Sequence, residues 1–291
     1  MKNFKIIILI AILAVVSILL TQKNKILETQ KAKVTTSFYP LYDFAKNIGK
    51  NMVDVTNITP AGAEPHDFEP TPQDIINIQK SKLFVYNNIG LEKWTDKILP
   101  DLGGFVVKAT EGIEVVNNDP HVWLDPVLAQ KEVENITNAL SVADRPNENY
   151  YRSNAQIYIN KLKALDLDFK SALSNCQARD FITSHEAFGY MSRRYNLNMI
   201  AIAGFSPDEE PSPKTLGDLV NFGKFHNIKY IFFESLVSPK LSETLARELN
   251  AKTLVLDPIE GLTQERINAG EDYISLQRQN LVNLKIAMNC Q

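Results

Sequence analysis

The 291-residue chain predicts an α/β fold of two lobes, each a mostly parallel sheet flanked by helices, joined by one long rigid linking helix. Three observations predict this. Short β-rich runs alternate with amphipathic runs of helical period, and the alternation occurs in two sets. Between the sets lies a stretch of about thirty residues with no glycine and a single apolar face. The length suits two lobes of ordinary size, with enough chain to bury a core that needs no staple.

The elements follow in order. In the first set, KVTTSFY reads as a strand and LYDFAKNIGK as a helix. MVDVTNIT is a strand, TPQDIINIQKS a helix, KLFVYN a strand and GLEKWTDKIL a helix. FVVKAT is the fourth strand, and DPVLAQKEVENITNALSVA closes the set as a helix. The second set begins near Arg179. RDFITS, MIAIAG, YIFFES and TLVLD are its strands. EAFGYMSRRYN, SPKTLGDLVNFGKFHN, PKLSETLAREL and one long C-terminal run are its helices.

The intervening stretch places Tyr151, Ala155, Tyr158, Leu162, Leu165, Phe169 and Leu173 at steps of three and four. That is one face of a helix, with Pro146 suited to its first turn. A helix of ~30 residues would run about 45 Å, the length of both lobes, and would act as a stiff strut. The expected division is 33–143 for the N-terminal lobe, 144–176 for the linking helix and 177–291 for the C-terminal lobe.

Residues 1–32 are expected to be a signal peptide or N-terminal membrane anchor. Lys2 and Lys5 precede an apolar run from Ile6 to Leu20, the layout of an export signal. At ~1.5 Å per residue the run spans about 22 Å, short for a full membrane crossing. No small-x-small cleavage site follows, so removal and retention both stay open. No cysteine stands near its end, which argues against lipid attachment there. The chain is therefore expected in the periplasm or on the outer face of the cytoplasmic membrane. Its two cysteines, Cys176 and Cys290, are permitted a disulfide in that compartment, and their spacing does not decide between a bond and two free thiols. Net charge is −3 with lysine and arginine scattered, so no basic stripe marks a nucleic-acid partner.

Parallel sheets place ligands at strand C-termini. The loop after MVDVTNITP carries His66. The loop before the closing helix of the first lobe carries His121, in DPHVWLDP. The strand RDFITS ends at His185, and TLVLD ends at Asp257. Each residue alone is weak evidence, because a lone histidine is usually incidental and Asp-Pro is a common turn start. The joint pattern is stronger: three of the chain's four histidines fall at equivalent topological places. The fourth, His226, sits at a helix end, where a cation suits the helix dipole. Three imidazoles and a carboxylate make the four-coordinate nitrogen and oxygen shell that Zn²⁺ accepts. Prolines beside these residues restrict the loops and lower the entropy lost on ordering. Trp123 is placed to pack beneath the His121 loop and shield it.

AEPHDFEPTPQDI, DPHVWLDP, TSHEAFGY, GFSPDEEPSPK and LDPIEGL together resemble the motif set of the metal-specific solute-binding proteins of ABC importers, the zinc and manganese receptors. The resemblance runs in order from about Lys33 to the C-terminus. It implies a two-lobed fold with a long linking helix and one metal held between the lobes. The implied ligands are His66, His121, His185 and Asp257. A histidine rather than a glutamate at the third position resembles the zinc branch, and a third imidazole suits Zn²⁺ better than Mn²⁺. The implied partners are a permease and its ATPase in the cytoplasmic membrane, with the receptor itself a monomer. Two departures stand out. No His-rich loop lies between the first two ligand histidines, since Asn87 to Asp119 contains none, and the lipid-attachment cysteine is missing.

Other readings are the same role for Mn²⁺ or Fe²⁺, an adhesin that uses the fold structurally, and a zinc hydrolase. HEAFG begins like the HExxH motif, but Gly189 replaces the second ligand. Four protein ligands would also close the position that a catalytic water needs. Glu64 or Glu186 would be the base of such an enzyme, and whether Glu64 or a water completes the metal shell stays open. On balance the chain is expected to do no covalent chemistry.

Overall fold

A computed structural model describes residues 31–291. The expected N-terminal export segment lies outside the described residues. Among those described, no helix is long and apolar enough to cross a membrane.

All eight expected strands form. The first sheet contains β1 (Ala32–Thr36), β2 (Val53–Asn57), β3 (Leu83–Tyr86) and β4 (Phe105–Lys108), in the order β2-β1-β3-β4. The second contains β5 (Asp180–Thr183), β6 (Asn198–Ala201), β7 (Tyr230–Phe233) and β8 (Lys252–Val255), in the order β6-β5-β7-β8. Every pairing is parallel. β3 is buried throughout, as a parallel strand covered on both faces must be. In each sheet the strand order reverses at the first strand, which opens a crevice at the C-terminal edge beside it.

Helices α1 (Tyr39–Gly49), α2 (Pro72–Lys80), α3 (Thr95–Ile98) and α4 (Pro126–Ala143) belong to the first set. Thr71 and Asp74 start α2 with a reciprocal capping box. GLEKWTDKIL forms only the single turn α3, not the expected longer helix. Asn88, Ile89 and Gly90 all have positive φ, a left-handed path from which a right-handed helix cannot start. Glu92 then bonds back to the Asn87 and Asn88 amides, both at 2.8 Å.

The linking helix α5 (Glu148–Ala172) has 25 residues and so runs about 37 Å. A 3₁₀ turn, Arg145–Asn147, precedes it and takes Pro146. Its predicted face is buried from Tyr151 to Phe169. The helix packs on α1 and α4 of the first set and on the C-terminal helix of the second. Tyr158 donates to Asp43 at 2.6 Å on one side, and Tyr195 donates to Asp166 at 3.2 Å on the other. One continuous apolar core runs under both sheets, from Phe38 and Phe44 to Phe181 and Tyr273.

The second set has α6 (Gly189–Tyr195), α7 (Pro213–Phe225), α8 (Lys240–Leu249), α9 (Gln264–Asn268) and α10 (Tyr273–Met288). The long C-terminal run is split into α9 and α10 because Gly270 takes φ +74°. Cys176 and Cys290 form a disulfide, which ties the end of the linking helix to the end of α10.

Candidate metal centre

His66, His121, His185 and Glu260 converge between the two sheets, and their ligand atoms all lie within 4.8 Å of one another. His121 Nε2 is 3.2 Å from His66 Nε2 and 3.3 Å from His185 Nε2. Glu260 Oε1 is 3.3, 3.1 and 3.4 Å from the Nε2 atoms of His66, His121 and His185. A tetrahedral ion with bonds of ~2.0–2.1 Å has ligand-to-ligand edges of about 3.3 Å. Five of the six edges of the cluster therefore match one four-coordinate ion.

Each residue is delivered by its element. β2 ends at Asn57, and the loop between it and α2 carries His66. His121 opens a 3₁₀ turn, Val122–Leu124, which Asp125 ends by capping α4 through the Val127 amide at 2.8 Å. His185 follows β5 directly at the crevice of the second sheet. Glu260 follows β8. The side chains of His121, His185 and Glu260 are fully buried, while that of His66 keeps 7% exposure, so the centre reaches solvent on the His66 side.

The far nitrogens of two imidazoles are committed. His121 Nδ1 pairs with Asp119 at 2.8 Å, and His185 Nδ1 pairs with Glu234 at 2.5 Å. A carboxylate at Nδ1 holds the N–H there and leaves the Nε2 lone pair free to face the centre. Burial alone would push both imidazoles down in pKa. For His121 the Asp119 and Glu260 carboxylates outweigh it and raise the pKa. For His185 the charges of Glu234 and Glu260 raise it well above the ordinary value. Glu260 meets the reverse balance. Burial would raise it, but the positive potential of His185 and the close approach of all three imidazoles hold it well below the usual carboxylate range. The four groups thus form a cage that, once the imidazole protons leave, offers three nitrogen lone pairs and one carboxylate to a cation.

The fourth expected residue, Asp257, stands apart from this group. Its Oδ1 accepts from the Ile259 amide at 2.7 Å, and its Oδ2 accepts from Ser235 and Arg266. Asn280 grips its backbone, donating to the carbonyl at 2.7 Å and accepting from the amide at 2.8 Å. Asp257 therefore builds the turn, and Glu260, three residues on, reaches the centre. Ile259 between them has φ 58°, a rare conformation for a β-branched residue, and it aims Glu260 inward. The chemistry of Asp-Pro carried this signal: an aspartate opening a turn spends its carboxylate on its own backbone two residues later.

Glu64 stands beside the centre, outside the group of four. Its Oε1 accepts from the His66 amide at 3.2 Å, and its Oε2 is buried without a partner among the described residues. Burial, then the nearby Glu260 carboxylate, pushes it up to about 9. His226 lies elsewhere, paired with Asp180 at 2.9 Å and stacked on Phe222. His185 to Phe188 is not helical, so HEAFG lacks the helical spacing of a zincin site. A Cβ at Gly189 would come within 2.7 Å of the Asp119 carboxylate, which leaves no room there for a larger residue.

Fold and centre together define a two-lobed protein whose cleft can hold one metal ion. The chain belongs to the family described as zinc-uptake complex component A, periplasmic, whose model matches residues 34–287. It is 43% identical over 277 residues to the high-affinity zinc uptake system protein ZnuA of Bacillus subtilis, covering 88% of this chain and 87% of that protein. It is 39% identical to the zinc-binding protein AdcA of Streptococcus pyogenes, covering 92% of this chain but only 58% of that longer protein. The Zn(II)-bound ZnuA-like domain of Streptococcus pneumoniae AdcA matches with a TM-score of 0.81 at 39% identity, over 89% of this chain and 100% of that one.

Proposed function

We propose that the protein is an extracytoplasmic receptor that captures Zn²⁺ between its lobes and delivers it to an ABC permease. The observation that carries this reading is the convergence of three imidazole nitrogens and one carboxylate oxygen at edges of 3.1–3.4 Å. His66, His121, His185 and Glu260 are the ligands. Three nitrogens and one oxygen suit Zn²⁺ over Mn²⁺, which favours harder oxygen sets. Membership of the zinc-uptake family supports the same cargo.

The cargo enters on the His66 side. Asp119 and Glu234 hold the protons of His121 and His185 on Nδ1, so that Nε2 donates to the metal. Glu260 supplies the negative charge. Four protein ligands leave no position for a reactive water, and the protein acts as a carrier rather than an enzyme. The continuous core beneath both sheets opposes a wide hinge, so loading and release proceed through loop shifts and small tilts. ATP hydrolysis by the membrane partner drives release.

The test is metal analysis and competition on purified protein. About one Zn²⁺ per chain is expected, with Zn²⁺ displacing Mn²⁺ at equal free concentrations. His121→Ala is expected to weaken binding by more than about 100-fold, since even the groups behind a ligand matter by 10–100-fold. His226→Ala is expected to leave it unchanged. Absence of a tight site, or preference for Mn²⁺, would overturn the assignment.

A further inference from the structure

Trp123 lies two residues after His121, and its indole Nε1 donates to the carbonyl of Pro258 at 2.7 Å. Pro258 lies two residues before Glu260. One side chain thus bridges the two turns whose ligand atoms, His121 Nε2 and Glu260 Oε1, are 3.1 Å apart. The indole is fully buried, with Phe38 packed edge-on at 4.7 Å between centroids. A buried indole N–H needs an acceptor, and the one it takes here is a carbonyl of the Glu260 turn.

The backbone of the same turn is held from behind. Tyr273 donates its hydroxyl to the Trp123 carbonyl. Gln277, one helical turn further along α10, donates to the Leu124 carbonyl at 3.3 Å and to the Tyr273 hydroxyl at 3.1 Å. Both side chains are fully buried. Tyr190 holds the other end of the turn, donating to the Asp119 carbonyl at 3.0 Å. These donors come from the second lobe, while Asn87 of the first lobe donates to the Pro120 carbonyl at 3.0 Å. The His121 turn is clamped from both sides. The Glu260 turn carries a matching need, because Ile259 at φ 58° persists only where its surroundings hold it.

We infer that Trp123, with Tyr273 behind it, is a positioning residue of the metal centre: its bond to Pro258 sets the spacing between His121 and Glu260. This rests on the proposed ligand set. Loss of the strut lets the Ile259 turn relax and carries Glu260 away from the imidazoles. A binding constellation tolerates only about 0.5 Å of such drift.

The experiment compares the full chain with its Tyr273→Phe and Trp123→Phe variants. Three quantities are read: the Zn²⁺ dissociation constant by chelator competition, the visible absorption of the Co²⁺ form, and the melting temperature without metal. Tyr273→Phe is expected to raise the dissociation constant about tenfold, and Trp123→Phe up to about 100-fold. In both, the intense bands of tetrahedral Co²⁺ weaken as the geometry opens. A purely structural role would lower the melting temperature and leave the affinity and the Co²⁺ spectrum unchanged, which overturns the inference. If Trp123→Phe does not fold, the near-isosteric Tyr273→Phe decides alone. Wild-type protein without a tight Zn²⁺ site would instead overturn the ligand assignment itself.

Discussion

Asp257 and Glu260 are two carboxylates in the stretch LDPIEGL, and the geometry gives them different work. Asp257 is spent on Ile259, Ser235 and Arg266, whereas Glu260 faces three imidazoles. Glu260→Gln is expected to weaken Zn²⁺ binding more than about 100-fold, and Asp257→Asn, which keeps an acceptor for the Ile259 amide, by about tenfold or less. Chelator competition measures both, and the reverse order would return the ligand role to Asp257. Glu132 poses a separate question. It is fully buried on α4, and neither oxygen has a hydrogen-bond partner among the described residues. Burial, then the charge of Glu92, raises its pKa well above the ordinary value. A carboxyl raised in the folded state stabilises fully only below its unfolded pKa of about 4.3, and that contribution is lost as pH rises towards the folded value. Glu132→Met is therefore expected to stabilise the protein by about 1–3 kcal/mol at neutral pH and to have less effect near pH ~4. Denaturant melts at the two pH values test this, and an equal or larger gain at low pH would refute it.

At the scale of elements, the disulfide and the metal centre occupy opposite edges of the second sheet. Cys176 lies before β5, beside the backbone bond from the Ala178 amide to the Met288 carbonyl at 3.1 Å. His185 lies after the same strand. Reduction should therefore act on stability alone. The bond closes a separation of 114 residues, and a loop of that size restricts the unfolded chain by about 2–5 kcal/mol. The Cys176→Ser, Cys290→Ser double variant is expected to melt lower and to bind Zn²⁺ with unchanged affinity. A weakened affinity would mean that strain from the staple reaches the centre.

The whole molecule couples protons to metal. In the metal-free cage the Asp119, Glu234 and Glu260 carboxylates draw protons onto His121 and His185, against the effect of burial. Zn²⁺ must displace those protons, so apparent affinity rises with pH and falls as pH drops. Because both imidazoles are raised above their ordinary pKa, the fall should begin above pH ~6.5. Glu260, held ionised, contributes no proton to the exchange. Between pH ~8 and ~5.5 the dissociation constant is expected to weaken steeply, by about tenfold or more per pH unit at the acid end, as two protons compete. Titration in a non-chelating buffer measures it, and a flat profile would remove the histidines from the site.

The alternation of strands and helices, the eight strands, the buried face of the linking helix and the placement of three histidines at strand ends were legible in the sequence. Each is a local matter of residue period or of placement at a strand end, and neighbours along the chain are enough to state it. The choice of Glu260 over Asp257 was not so legible. It depends on Ser235 and Arg266, which draw the Asp257 carboxylate to themselves, and on Asn280, which fixes its backbone, so that the carboxylate is held away from the centre. The shortened α3 likewise follows from Glu92 turning back to the Asn87 and Asn88 amides. The disulfide was open in the sequence because 114 residues say nothing about whether two sulfurs meet. Periodicity is set within one segment, but which polar group satisfies which is decided only when distant segments compete for the same atoms.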